Sequence, residues 1–302
     1  MPKLKDKTVI VTGGAGGIGG ATCRRFAAEG AKVAVFDMNI EAAQKVADGI
    51  KASGGTAAAF KCDITDRAAV DAAVAATIAQ LGPIDVLVNN AGWDVFKPFV
   101  KTVPDEWSKL IAINLTGALH MLHAVLPGMV ERNAGRIVNI ASDAARGGSS
   151  GEAVYSACKG GLVALSKTLA REHARHNITV NVVCPGPTDT ALLAGFAEGA
   201  ANPDKLMDAF KKAIPLGRLG QGTHGTPHRL RDRRPRQTQA HRPRGHAPRD
   251  HREDRLAEVM HDTLGEDRVV AGVGDQRPEH ADPFDLAARH QTVGDGCDRG
   301  RG

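Results

Sequence analysis

The chain has 302 residues, of which 42% are hydrophobic, and carries a formal net charge of +5. This length and apolar content suit one large α/β domain with a remainder, and the mild basic bias nominates acidic ligands without requiring any. No apolar run approaches the ~18 residues of a membrane span, and the start "MPKLKDKTVIVTGG" shows no long apolar segment or cleavage site, so neither a membrane nor a signal peptide is expected.

In chain order, "KTVIVTG" reads as a strand, Ile18–Glu29 as a helix, "AKVAVFD" as a strand and Glu41–Ala52 as a helix. "TAAAFKCD" is a third strand, followed by a helix over Arg67–Leu81 and the continuously apolar strand "IDVLVNN". One long helix is predicted over Pro104–Glu131, then the strand "GRIVNIAS", a helix over Ala153–His176 and the strand "ITVNVVCPG". Short apolar strands alternating with helices predict a parallel sheet covered on both faces, and right-handed crossovers favour a doubly wound, Rossmann-type α/β fold. Six strands are visible; a seventh is expected after Gly220 and none is found there. The five cysteines, Cys23, Cys62, Cys158, Cys184 and Cys297, are scattered with neither zinc nor disulfide spacing, which predicts a reducing, cytoplasmic setting.

"VTGGAGGIGG" follows the first strand and opens the first helix, with Gly13, Gly17 and Gly19 in the pattern T-G-x-x-x-G-x-G. Glycine permits a sharp turn and close approach to a pyrophosphate, while the helix N-terminus offers free N–H groups and a partial positive charge. Asp37 ends the second strand, about 20 residues on, where an acid accepts hydrogen bonds from the ribose hydroxyls of NAD and repels the 2′-phosphate of NADP. No arginine follows it in "FDMNI", which also favours NAD; a plain strand-end turn is the other reading of Asp37. Asp63, at the end of "TAAAFKCD", suits either the adenine amino group or a cap on the helix that starts at Arg67.

Tyr155 is the only tyrosine of the chain, and Lys159 follows four residues later on a predicted helix, so the two share a face. A free phenol, with a pKa near ~10, is a poor base at neutral pH, and a nearby ammonium favours the phenolate and makes proton transfer with an alcohol or carbonyl practical. Ser142 ends the fifth strand on the sheet edge that also carries the glycine turn, the edge where such sheets bind ligands. Singly, these residues suit an anchor, a surface charge and a loop hydroxyl; together with a dinucleotide turn they predict a dehydrogenase site.

The motifs "TGGAGGIG", "NNAG" (Asn89–Gly92), "IAINLTG" with Asn114, Ser142, "YSACK" (Tyr155–Lys159) and "VNVVCPGPTDT" occur in one order across residues 8–190. In these the chain resembles the short-chain dehydrogenase/reductase family. The resemblance implies that Tyr155 is the general acid/base, that Lys159 holds the nicotinamide ribose, that Ser142 orients the substrate oxygen and that Asn114 supports a proton-relay water. It implies NAD as cofactor, held by Gly13, Gly17, Ile18, Gly19, Asp37, Asp63, Ile64, Asn90, Ala91, Gly92, Tyr155, Lys159, Pro185, Gly186 and Thr188. Stretches such as "NNAGWDVFKPF" and "GEAVYSACKGG" are similar to family members that oxidise ring hydroxyacyl-CoA thioesters in anaerobic aromatic and alicyclic acid breakdown. That similarity implies a small acyl-CoA substrate and a homotetramer. It places Trp93, Asp94 and Arg146 near the acyl ring or the CoA arm; loop packing and solvated charge are their alternatives.

The resemblance spans about residues 1–220 and stops near Gln221. Residues 221–302 contain no Lys, Ile, Asn, Ser, Tyr or Trp and are rich in Arg, His, Pro and Gly. Such a segment buries little apolar surface and reads as low-order. Lys, Ile, Asn and Tyr, whose codons are AT-rich, are all absent from it, which predicts a frameshifted translation of a GC-rich gene. Without a last helix and strand, a sheet edge and an oligomer contact would be lost, and the chain would be inactive despite a full catalytic set. The Arg229–Arg249 stretch raises nucleic-acid binding as a rival, but the acidic residues that follow nearly neutralise the segment and it has no Tyr or Trp for stacking. His224 and His228 lie on no predicted helix that would align them, so no metal site is expected.

Overall fold

The computed structural model describes residues 4–198, 202–214 and 216–222. In chain order the elements are β1 (Thr8–Thr12), α1 (Gly17–Ala28), β2 (Lys32–Asp37), α2 (Ile40–Ala52), β3 (Thr56–Lys61), α3 (Arg67–Leu81) and β4 (Ile84–Asn89). They continue with α4 (Pro104–Ile111), α5 (Gly117–Glu131), β5 (Gly135–Ile140), α6 (Ala144–Gly147), α7 (Ala153–His173) and β6 (Ile178–Val183). The short strand β7 (Thr188–Asp189), helices α8 (Ala191–Glu198) and α9 (Pro203–Ala213) and the short strand β8 (Gly220–Gln221) follow.

β1 to β6 form one parallel sheet in the order β3-β2-β1-β4-β5-β6. The chain winds outward from β1 to β3, then returns to the other side of β1 to add β4, β5 and β6. The strand order therefore reverses between β1 and β4, and a crevice opens there at the carboxyl ends of the strands. The expected α/β doubly wound fold is the one observed.

Side-chain alternation along each strand divides the core in two. Ile10, Ala34, Phe36, Leu87 and Ile137 point to one face, where they pack with Val70 and Val74 of α3 and Met121 and Val125 of α5. Val9, Val11, Val33, Val35, Val86, Val88 and Val138 point to the other, against Phe26 of α1 and Ala43 and Ala47 of α2. Small residues on α2 let the helix lie close to valine-rich strands. At ~25 cal/mol per Å² of apolar surface removed from water, these two layers are the main source of stability.

The predicted single helix over Pro104–Glu131 is interrupted. A π-helical turn, Ala112–Thr116, separates α4 from α5. Asn114 sits in it and donates from Nδ2 to the Leu110 carbonyl at 3.0 Å and to the Trp93 carbonyl at 2.6 Å. A side chain that takes a helix carbonyl while also reaching outside the helix accommodates the wider turn. Together α4, the turn and α5 span 28 residues with a window of mean hydropathy 1.5, long and apolar enough to cross a membrane. A search for unbroken apolar runs misses this, and the buried Met121, Leu122, Val125 and Met129 identify a core helix packed on the sheet.

Helices α6, α8 and α9 were not expected from the sequence, and the helix predicted to His176 ends at His173 with a 3-10 turn beyond it. Among the described residues the main sheet has six strands. The predicted low-order tail lies outside the described residues apart from Gln221 and Gly222, as do His224, His228 and Cys297. Cys23, Cys62, Cys158 and Cys184 are free thiols.

Candidate active site

The glycine turn is locked to the end of β4. Thr12 Oγ1 accepts the backbone N–H groups of Asn90 at 2.9 Å and Ala91 at 3.0 Å. Asn90 returns the contact, donating from Nδ2 to the Thr12 carbonyl at 2.9 Å and the Gly13 carbonyl at 3.3 Å. Gly13 has φ of 60°, in the left-handed region. The first residue of α1 has no side-chain cap on its N-terminal side, which leaves the helix-start N–H groups to a ligand. Gly19 faces the Gly13 carbonyl, and a Cβ there would overlap that oxygen and sit 2.7 Å from Asn90 Nδ2. Gly19→Ala is therefore expected to destabilise the fold by ~1–3 kcal/mol, read as a lower melting temperature.

Asp37 Oδ2 accepts the Ala15 N–H at 3.1 Å and Oδ1 accepts the Asn39 N–H at 3.0 Å. The carboxylate thus shapes its own strand-end turn and ties the glycine loop to β2, while still facing the cavity. Asp63 accepts both the N–H and the hydroxyl of Thr65, at 2.9 and 2.7 Å. It does not cap α3. Asp66 does, accepting from Ala68 N at 2.9 Å and Ala69 N at 3.3 Å.

Across the crevice, a buried polar chain fixes α7 to the sheet. Asn89 donates to Asn139 at 2.8 Å, Asn139 to the Ser166 hydroxyl at 2.8 Å, and Ser166 to the Leu162 carbonyl at 2.7 Å. Such bonds offset the cost of burying amides and hydroxyls in a low-dielectric core, although Asn89 Oδ1 itself stays without a donor among the described residues. The register this imposes brings the Lys159 ammonium 3.0 Å from the Ile140 carbonyl and 5.5 Å from the centre of the Tyr155 ring. Burial lowers the Lys159 pKa to about 8, an effect that the nearby Cys158 and Asp94 side chains partly oppose. Burial pushes the Tyr155 phenol up, and a hydrogen bond from Ser142 is what opposes it; Asp94 and Glu152 push it further up. The Lys159 ammonium reaches the Ile140 carbonyl and the Tyr155 ring face, and the Ser142 hydrogen bond favours the phenolate.

One cavity of about 1170 Å³ joins these two halves. It is lined by Gly13, Gly17, Ile18, Gly19, Asp37, Asp63, Ile64, Asn90, Ala91 and Gly92 on the glycine-turn side. Ser142, Tyr155, Lys159, Pro185, Gly186 and Thr188 line it on the other. Asn114 does not line the cavity. It is 1% exposed and stands behind Gly92, where its Oδ1 accepts the Trp93 N–H at 3.3 Å. Trp93 and Asp94 line the cavity, whereas Arg146 does not; it is half-exposed and paired with Asp143 at 3.4 Å.

The sequence reading missed the apolar wall of the cavity. Phe96 packs against Phe196 of α8 and Phe210 of α9 at centroid distances of 5.9 and 5.8 Å, beside Leu192, Leu193 and Leu206. It also missed Lys109, whose ammonium lies 4.1 Å over the Trp93 ring, and Glu152. Glu152 alone had a local signal, standing three residues before Tyr155 at the start of the same helix.

Comparison with known proteins agrees with this geometry. The profile of the family described as short chain dehydrogenase matches residues 7–200. Acetoacetyl-CoA reductase of Shinella zoogloeoides is 41% identical over 217 residues, covering 72% of this chain and 86% of that protein. The structure of NAD⁺-bound xylitol dehydrogenase superposes with a TM-score of 0.69 at 35% identity, over 74% of this chain and 90% of that one. A variant of actinorhodin polyketide ketoreductase solved with NADPH gives 0.69 at 34% identity, over 74% and 87%. A glycine turn and a Ser-Tyr-Lys group facing one cavity, on a doubly wound sheet with these relatives, place the chain in the short-chain dehydrogenase family.

Proposed function

We propose that this protein is an NAD-dependent dehydrogenase that oxidises a ring secondary alcohol of an acyl-CoA thioester. The substrate is 2-hydroxycyclohexane-1-carbonyl-CoA and the product its 2-oxo acyl-CoA. The observation that carries the reading is the single cavity in which the glycine turn at one end faces Ser142, Tyr155 and Lys159 at the other. The sequence stretches around Trp93 and Tyr155 resemble the dehydrogenase of that substrate. The wall of Phe96, Phe196 and Phe210 suits an alicyclic ring better than a polyol.

The start of α1 would hold the pyrophosphate, Asp63 and Ile64 would border the adenine, and Asp37 would hold the adenosine ribose. Pro185, Gly186 and Thr188 would border the nicotinamide, which when bound would supply the acceptor for the hydride of the carbinol carbon. Ser142 holds the substrate oxygen, and Tyr155, as phenolate, takes the hydroxyl proton. Lys159 holds the nicotinamide ribose. Asn114 supports the water route from behind Gly92. Asp37 is the basis for NAD over NADP. Asp37→Ser is expected to reduce that preference at least ~10-fold, measured as the ratio of kcat/KM for the two nucleotides, because it removes the charge that repels a 2′-phosphate.

The second reading is reduction of a 3-oxoacyl thioester, favoured by the likeness to acetoacetyl-CoA reductase. The deciding experiment follows NADH formation with 2-hydroxycyclohexane-1-carbonyl-CoA, with 3-hydroxybutyryl-CoA as the competitor. It is run on the full chain and on a chain with a family-type helix and strand restored after Gly220. The proposal expects the ring thioester to be preferred, and no turnover of it by the restored chain overturns the substrate assignment. Sequencing the gene tests the frameshift: an intact reading frame with no indel near codon 221 contradicts it.

A further inference from the structure

Asp94 follows the β4 loop, is 5% exposed and has one oxygen accounted for, Oδ1, which accepts the Val95 N–H at 2.7 Å. Its Oδ2 is buried and, among the described residues, no N–H or O–H donor reaches it. The group it faces is the carboxyl of Glu152, which itself accepts a short hydrogen bond from the Ser149 hydroxyl. Two carboxylates cannot bond each other, but a carboxyl and a carboxylate can, so a proton between them would satisfy the orphaned oxygen. Asp94 and Glu152 both line the main cavity with Tyr155, and both line a second cavity of about 10 Å³ on the far side, with Lys97, Thr102 and Tyr155.

We propose that Asp94 and Glu152 form a carboxyl pair that holds one proton in the resting protein, and that the charge of this pair sets the pH range in which Tyr155 works. The inference rests on Tyr155 being the acid/base of the proposed reaction. Burial first, and then the Glu152 contact, raise the Asp94 pKa to about 9. Both carboxyls disfavour the Tyr155 phenolate. Ionisation of Asp94 near pH ~9 therefore adds a negative charge beside Tyr155, and that charge works against ionisation of the phenol.

The other charged groups around the pair are accounted for. Lys159, on α7, opposes the Asp94 shift, and Ser142 opposes the shift of the phenol. Lys97, on the small cavity, is paired with Glu106 at 2.6 Å. Asp143, on the cavity lining, pairs with Arg146 outside it, and the Cys158 and Cys184 thiols are raised by burial and stay neutral at pH 7. Asp94 and Glu152 are positioning residues, acting through Tyr155.

Two spectroscopic readouts test this on the full chain without substrate. Tyr155 is the only tyrosine, so tyrosine labelled with ¹³C at Cζ alone gives one resonance whose pH dependence reports its ionisation alone. Infrared difference spectra, wild type against Asp94→Asn, report a protonated carboxyl. The proposal expects the carboxyl C=O band at neutral pH in the wild type and its loss in Asp94→Asn. It expects the onset of tyrosinate to move about one pH unit lower in both Asp94→Asn and Glu152→Gln. No protonated carboxyl at neutral pH, or an onset unmoved in both variants, overturns it. If 2-hydroxycyclohexane-1-carbonyl-CoA proves inert while both signatures appear, the proposed reaction fails and this inference stands.

Discussion

Replacing Tyr155 by phenylalanine lowers turnover by about 10³-fold while leaving nucleotide affinity within about twofold. The change removes one oxygen and keeps the ring over which Lys159 lies, so α7, its buried polar chain to the sheet and the glycine turn are untouched. Lost with the hydroxyl are the partner of Ser142 and the only phenol of the chain. Steady-state oxidation by the restored chain gives the turnover, and NADH fluorescence titration gives the affinity. An equal loss in both would mean that Tyr155 acts as a structural anchor. The sign of the pH dependence follows from the same group. Oxidation needs the phenolate, burial holds the phenol protonated above its ordinary range, and so the rate rises with pH until a second ionisation intervenes.

Lys159→Met also removes turnover, by ~10²–10⁴-fold, but stabilises the free protein. The Lys159 pKa is lowered from 10.5 to about 8 by burial. A buried group whose folded pKa is depressed in this way disfavours folding while it is charged. A shift of that size corresponds to ~3 kcal/mol. Removing the ammonium also leaves the Ile140 carbonyl without its donor, which costs ~1 kcal/mol or more. The first term wins, and the variant is expected to be more stable by ~2 kcal/mol at neutral pH, with a melting temperature several degrees higher. Below pH ~8 the lysine is charged in both folded and unfolded states and the full penalty is present. As pH rises from about 8 to 10.5 the folded lysine loses its proton first, the wild type gains stability, and the difference between the two proteins closes. Melting curves across that range test the sign. A variant less stable than wild type at pH 7, or a gap that widens with pH, would contradict the reading of Lys159 as a buried charge retained for function.

Much of the fold is legible in sequence because it rests on local patterns. The strands are short runs such as "VIV" and "VLV" whose alternate residues feed two core layers, and the order of strands and helices leaves a doubly wound sheet as the simplest arrangement. The glycine turn and the Tyr155–Lys159 pair are equally local, fixed by spacings of a few residues on a helix. What escaped reading depends on contacts between distant parts of the chain. The π turn at Asn114 forms because Trp93, 21 residues earlier, offers its carbonyl. Asp94 meets Glu152 only because the β4 loop and the start of α7 end at the same edge of the sheet. Asp63 and Asp66 have the same chemistry three residues apart, and only the backbone decides that Asp66 is the cap. Helix α9 was readable and was not read. Asn202 caps it, accepting the Lys205 N–H at 2.9 Å, and a proline opens its first turn.

The most direct test of the proposed reaction is isotopic. 2-Hydroxycyclohexane-1-carbonyl-CoA carrying deuterium on the carbinol carbon is incubated with NAD⁺ and the restored chain, and the reduced nucleotide is isolated. The account predicts one deuterium per reduced nucleotide and a slower rate than with the unlabelled thioester, because the carbinol C–H bond is the one that breaks. Reduced nucleotide without deuterium, or none formed while the thioester is consumed, would contradict it.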